Sequence, residues 1–133
     1  MAKRIREKAL RRIENKDKRP YAIAKHIRIS PSKMNLTLST IRGKDVVSAL
    51  ATLKFLPNGA SEVAYKVLAS AIANAENNKG LSREELVVSE AFATPGPTLK
   101  RMWPRSHGSA DRILKRTCHV TIKLDVIQQG GAK

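Results

Sequence analysis

Hydrophobic and polar residues alternate most regularly near the C-terminus, where Val120, Ile122, Leu124 and Val126 are interleaved with His119, Thr121, Lys123 and Asp125. A period of two predicts a strand with one buried and one wet face. Leu86 to Ala93 is denser in apolar residues and predicts the start of another strand. Tyr21 to Ile29 predicts a third, with Tyr21, Ile23, Ile27 and Ile29 on one face and Ala22, Ala24, His26 and Arg28 on the other. Between these strands the apolar spacing becomes helical. Ser30-Pro31 is a helix start, because serine can accept from free amides and proline at the first position loses no useful donor. Met34, Leu38 and Ile41 follow at spacings of four and three, and Gly43 stops the helix. A second helix over about Asp45 to Phe55 turns Val46, Val47, Leu50 and Leu53 inward and ends at Pro57-Asn58-Gly59. The longest, about Ala60 to Asn77, carries Val63, Ala64, Val67, Leu68, Ala71, Ile72 and Ala75 as one stripe, and its alanines permit close approach to a sheet.

Ahead of Pro20, Ile5, Ala9, Leu10 and Ile13 keep helical spacing in a segment too short and too charged to hold a helix alone. Residues 1–20 are therefore expected to be a basic tail that orders only against a partner. The remaining order predicts a single α+β domain over 21–133: a small antiparallel sheet packed against three helices, with a long protruding β-hairpin. That hairpin is expected over about 86–127, its tip over about 94–111.

The hairpin is expected because residues 91–116 cannot form core: six Lys or Arg stand there against one Asp, with three prolines and two glycines. Ten extended residues from Ala93 to Trp103 would reach about 30 Å, longer than surface binding requires. Lys100, Arg101, Arg105, Arg112, Lys115 and Arg116 are either a solvated loop or a phosphate-binding set, and their crowding with so little acid favours phosphate. Trp103, in a proline-flanked basic loop, is either a stacking platform or a plug against the protein's own body. For Lys25, Arg28, Lys33 and Arg42 a solvated face competes more strongly with RNA contact; Lys66 and Lys123 read as ordinary surface.

Composition sharpens this division. The 133 residues carry a net charge of +15, while aromatic residues make up only 4%. Residues 1–19 hold nine basic and three acidic side chains, whereas residues 44–92 hold five and six, so a neutral body bears cationic appendages. That distribution favours a nucleic-acid partner over a small-molecule enzyme and leaves anionic membrane as the weaker competitor. No apolar run approaches a membrane span, and Glu7, Glu14 and Asp17 count against an organelle transit peptide. Cys118 is alone and reads as a small buried hydrophobe in a reducing compartment. His26, His107 and His119 share no metal-ligand spacing, and neither Gly96, Gly108 nor Gly130-Gly131 belongs to a nucleotide-binding loop. No cofactor is expected. A free regulatory nucleic-acid binder and a cationic membrane-active protein remain the rival classes.

Ala24-Lys25 through Ser30-Pro31-Ser32-Lys33, Ile41-Arg42-Gly43-Lys44, the run Val67 to Asn77, Gly96-Pro97-Thr98-Leu99-Lys100-Arg101, Pro104-Arg105 and the run Ile113 to Thr121 occur in one order. Together they resemble the bacterial-type large ribosomal subunit protein twenty-two family over about Tyr21 to Val126. The resemblance implies a non-catalytic structural constituent of the large subunit that binds 23S-type rRNA, contacts several rRNA domains and supports early assembly. It implies rRNA contacts at Lys25, Arg28, Lys33, Arg42, Lys44, Lys100, Arg101, Arg105, Arg112, Lys115 and Arg116. It further implies a globular part near the polypeptide exit and a hairpin tip lining the exit tunnel through Leu99, Lys100, Arg101, Met102, Trp103, Pro104, Arg105 and Gly108. Implied neighbours are other large-subunit proteins, the nascent polypeptide and macrolide antibiotics nearby, on a cytoplasmic ribosome of bacterial or organellar type, with no membrane. The chain departs from the family's usual pattern in Ser106, His107 and Ser109, where more basic residues are expected, in Trp103, and in its longer basic tail.

Overall fold

A computed structural model of the chain describes residues 2–127. The elements run α1 (Ala2–Glu14), β1 (Tyr21–Ile27), α2 (Pro31–Ser39), α3 (Val46–Phe55), α4 (Gly59–Lys79), β2 (Leu86–Pro95), β3 (Leu99–Pro104), β4 (Ala110–Lys115) and β5 (Cys118–Val126). This is an α+β fold. Three strands form an antiparallel sheet in the order β1-β5-β2, and β3 and β4 form a separate antiparallel pair. Gly130 and Gly131 lie outside the described residues.

One core joins the inner sheet face to α2, α3 and α4. From β5 it takes Cys118, Val120, Ile122 and Leu124, each with no exposed surface, while Val126 at the strand end is 36% exposed. From α2 and the turn after it come Met34, Leu38 and Ile41, and from α4 the expected stripe, with Val63 at its margin. Each Val or Leu fully buried there contributes roughly 1.5–3 kcal/mol before conformational entropy is set against it. On α3 the inward positions are Val46, Ala49 and Leu53, and Val47 points to solvent. A helix beginning at Val46 can bury only one stripe, and the 46, 49, 53 spacing is the one that meets the sheet. Asn58, expected in the turn, accepts from the Ser61 amide and caps α4, which extends through Lys79 to a left-handed Gly80.

The face expected of β1 is reversed. Ala22 is buried, whereas Tyr21 and Ile23 are 48% and 49% exposed on the outer side of the sheet. One extra residue between Ala24 and Ile27, opposite Val120 and Cys118, forms a bulge. His26 takes the left-handed conformation there, φ 57°, and its amide donates to His119 Nδ1 at 3.1 Å. The bulge returns Ile27 to the core side, so neither alternating set is continuous.

Both sheet edges are covered. Along β2, Asn35 accepts from the Ala93 amide and donates to its carbonyl, the Gly43 amide donates to the Val88 carbonyl, and Lys44 accepts from the Val88 amide. Along β1, Asn74 donates to the Tyr21 carbonyl at 3.0 Å. Exposed edges invite pairing with foreign chains, and these bonds occupy them.

The expected hairpin is two ladders rather than one. β2 and β5 pair inside the body, and pairing resumes in β3 and β4 only after Gly96-Pro97-Thr98 and Arg116-Thr117. At this root the Gly96 amide donates to the Thr117 carbonyl, and Thr117 Oγ1 donates to the Pro97 carbonyl at 2.5 Å. A Cβ on Gly96 would lie 2.6 Å from Thr117 Oγ1 and 3.2 Å from the His119 ring, so glycine is needed for close approach. We expect Gly96→Ala to lower stability by about 1–3 kcal/mol in urea unfolding through this clash. Thr117→Ala removes the atom in the way, so the double variant should be less destabilised than the sum of the single changes, and strict additivity would refute the contact.

Candidate nucleic-acid interface

From Leu99 to Arg112 every side chain is exposed, and β3 and β4 pair only with each other. Six residues per strand make an arm of about 20 Å. Its cross-strand rows are Leu99 with Lys115, Lys100 with Leu114, Arg101 with Ile113, Met102 with Arg112, Trp103 with Asp111 and Pro104 with Ala110. Each of the first four sets one cation opposite one apolar side chain. Like charges never face each other directly, which avoids a destabilising pair. Because successive rows point to opposite faces, Arg101 and Lys115 lie on one side of the arm, Lys100 and Arg112 on the other. The arm is cationic on both faces and has no apolar face to bury.

The tip is a tight turn at Ser106–Gly108, with His107 at φ 56° and Gly108 at φ 70°. The Arg105 amide donates to the Ser109 carbonyl, and Arg105 Nε donates to Asp111 Oδ2 at 2.6 Å. This exposed ion pair spends part of the Arg105 charge inside the turn, a use its sequence position does not reveal. Trp103 is 56% exposed and plugs nothing, and Met102 beside it is 78% exposed.

The other expected contacts divide into two groups. Lys25, Lys33 and Lys44 are exposed, with no ion pair among the described residues. Arg28 and Arg42 are exposed but already engaged. Arg28 Nη1 donates to the Arg116 carbonyl at 2.7 Å, bracing the hairpin root from β1, and Arg42 Nε donates to the Ala91 carbonyl at 2.6 Å on the edge of β2. Both keep further guanidinium donors for a phosphate, because arginine carries five N–H groups. Arg116 lies in the root beside Gly96 and Thr117, exposed.

Sequence reading missed one feature. Lys123, expected to be ordinary surface, joins Asp17, Arg19 and Glu90 in an ion-pair cluster on the outer sheet face, with contacts of 2.6 to 3.1 Å. Arg19 also donates to Ser89 Oγ at 2.9 Å. Asp17 and Arg19 are therefore bonded to the body. Hydrogen bonds from the Arg19 side chain and amide, and then from Lys123, hold the Asp17 carboxyl far below its ordinary 3.8. Lys123 and then Arg19 lower Glu90 below its ordinary 4.5, and Arg19 and Lys123 are raised in return. Upstream, α1 is helical with every described side chain exposed, Ile5, Leu10 and Ile13 included.

Burial pushes the Cys118 thiol up, as suits an inert core residue. Among the described residues, no group of three or more His, Cys, Asp or Glu side chains is placed to hold a metal ion, and no helix is long and apolar enough to cross a membrane.

What the site offers is an exposed cationic arm, a braced root and a neutral body. A sequence model of the family described as Ribosomal protein L22p/L17e matches residues 22–125, most of the chain and all of the arm. The chain belongs to that family. L22p/L17e proteins are non-enzymatic structural components of the large ribosomal subunit and bind rRNA. Residues 2–21, with α1 and the Asp17–Arg19 anchor, precede the part this L22p/L17e chain shares with the family model.

Both carboxylates of the anchor have lowered pKa values, so its contribution is complete above their ordinary 3.8 and 4.5, declines as pH falls below these, and is lost only in the more acidic window where pH passes through the lowered values. Amide resonances of Asp17 to Arg19, followed by NMR under acid titration, should move to free-chain positions in that window before the core unfolds. Asp17→Asn should show free-chain positions already at neutral pH; anchored shifts in that variant would refute the cluster's role.

Proposed function

We propose that the arm of this L22p/L17e chain threads between segments of folded 23S-type rRNA, while the body sits near the polypeptide exit. Support comes from one observation above the others: an exposed ladder with cations on both faces and no apolar face of its own. A hairpin lying on a surface needs one cationic face, whereas one passing between two polyanionic walls needs two. Phosphate contacts then fall to Lys100, Arg101, Arg105, Arg112, Lys115 and Arg116 on the arm and root, and to Lys25, Arg28, Lys33, Arg42 and Lys44 on the body. Contacts made at both ends of the molecule would join several rRNA domains, which fits a part in early subunit assembly.

The tip, Leu99 to Arg105 with Gly108, forms part of the nascent-peptide tunnel wall in this reading, within reach of the macrolide-binding region. Met102 and Trp103 offer the passing peptide and nearby bases an apolar and aromatic surface. Residues 2–16 become ordered on RNA or a neighbouring subunit protein, since the exposed stripe of α1 has no partner among the described residues.

A free-standing regulatory binder, the rival reading, needs a finger that holds its shape alone. Trypsin should therefore cut the free protein between Lys100 and Lys115 well before the body, and cut far more slowly in intact large subunits. A resistant finger in the free protein would overturn threading. Neutralising Lys100 and Arg101 together, one on each face of the arm, should change macrolide sensitivity while large-subunit profiles on sucrose gradients stay near normal. Failed assembly with unchanged sensitivity would assign these cations to assembly instead.

A further inference from the structure

The outer face of the β1-β5-β2 sheet has no helix from α2 to α4 on it, because all three pack on the inner face. Its register places Ile23, Thr121 and Phe92 in one cross-strand row and Tyr21, Lys123 and Glu90 in the next. Beyond them the His26 ring meets His119 edge-on, with centroids 4.9 Å apart. Two of the chain's five Phe, Tyr and Trp rings thus share one small face. Tyr21 and Phe92 stand on the two outer strands, one row apart and about 12 Å from each other on the diagonal across β5.

Two arguments identify the occupant. The face is continuous with the candidate interface: the His119 ring lies against Gly96 at the hairpin root, and Arg28 braces that root from the end of β1. RNA bound along the arm would meet this face at the root. The second argument is electrostatic. Lys123 and Arg19 are already matched by Asp17 and Glu90, so the face offers rings and aliphatic surface rather than free charge. A duplex backbone gains little on such a surface, whereas the π-face of an unpaired base gains stacking.

We propose that this outer sheet face is a stacking platform for unpaired rRNA bases, with Tyr21 and Phe92 as the two rings and Lys25 at its rim holding an adjoining phosphate. The platform rests on the family's rRNA binding, and it is distinct from the arm: it recognises single-stranded nucleotides by their faces, where the arm recognises backbone. Ile23 and Thr121 fill the space between the rings.

The test uses the full chain with two probes, a short single-stranded oligoribonucleotide of mixed sequence and a blunt RNA duplex. Tyr21→Leu combined with Phe92→Leu keeps apolar bulk and removes both rings. It should weaken single-strand binding about ten-fold or more, leaving duplex affinity and the salt dependence of both probes unchanged. No loss, or an equal loss on both probes, would overturn the platform. If the unaltered chain bound neither probe, the rRNA-binding reading itself would fail, which is a different result. As a second arm, Ile23 replaced by a photo-crosslinking phenylalanine derivative should capture rRNA in assembled large subunits. Capture of a neighbouring protein, or of residues 2–16 of the same chain, would give the face to that partner and overturn the proposal.

Discussion

The arm has no interior, and the rest of the molecule is arranged around that fact. A two-stranded ladder is marginal in water even with an apolar face to bury, and here each of the first four rows mixes a cation with an apolar side chain. Cohesion beyond the ladder bonds comes from the Arg105–Asp111 pair at the tip and from the root, at opposite ends of the arm. An exposed pair of this kind contributes little. Phosphate groups packed against both faces would remove the mutual repulsion of the cations and supply the missing walls at once, so the arm's shape and its partner are one problem.

An arm held from outside still has to start in the right direction, and that task falls to the body. Gly96 permits backbone and ring to approach closely, Thr117 locks the Pro97 carbonyl, and Arg28 reaches across from β1 to the Arg116 carbonyl. The strand leading into the root, β2, is bonded to the body along its edge by Asn35 and Arg42. A body held by an apolar core suits this work, because burial of Val, Leu, Ile and Ala needs no outside partner. Separating charge from core lets each part be stable under its own conditions.

Much of this division is legible from the residues alone. β5 shows itself because burial on one face only imposes strict alternation, and the start of α2 shows itself because Ser30-Pro31 suits that one position. The arm is found by exclusion, since three prolines and six cations have no place in a core. The inward face of β1 is hidden because a single extra residue reverses it, and that residue is stabilised by His119, 93 positions away. Separations of 71 and 106 positions likewise hide the cluster of Asp17, Arg19, Glu90 and Lys123. Arg28 and Arg42 look like free cations for a similar reason: sequence shows a positive charge but not the carbonyl that folding sets beside it.

These long-range contacts also explain why charge count is a poor guide to where RNA sits. Of the cations on the outer sheet face, Arg19 and Lys123 are matched by carboxylates, which removes the driving force for phosphate but leaves the surface open. On the arm the acid is confined to Asp111, and its partner Arg105 closes the turn, so Lys100, Arg101, Arg112 and Lys115 keep their full charge. Counterion release rewards only charges that are free before binding. By that measure the arm keeps four unmatched cations for a polyanion, while RNA on the sheet face would have to be recognised by the shape and stacking of its bases.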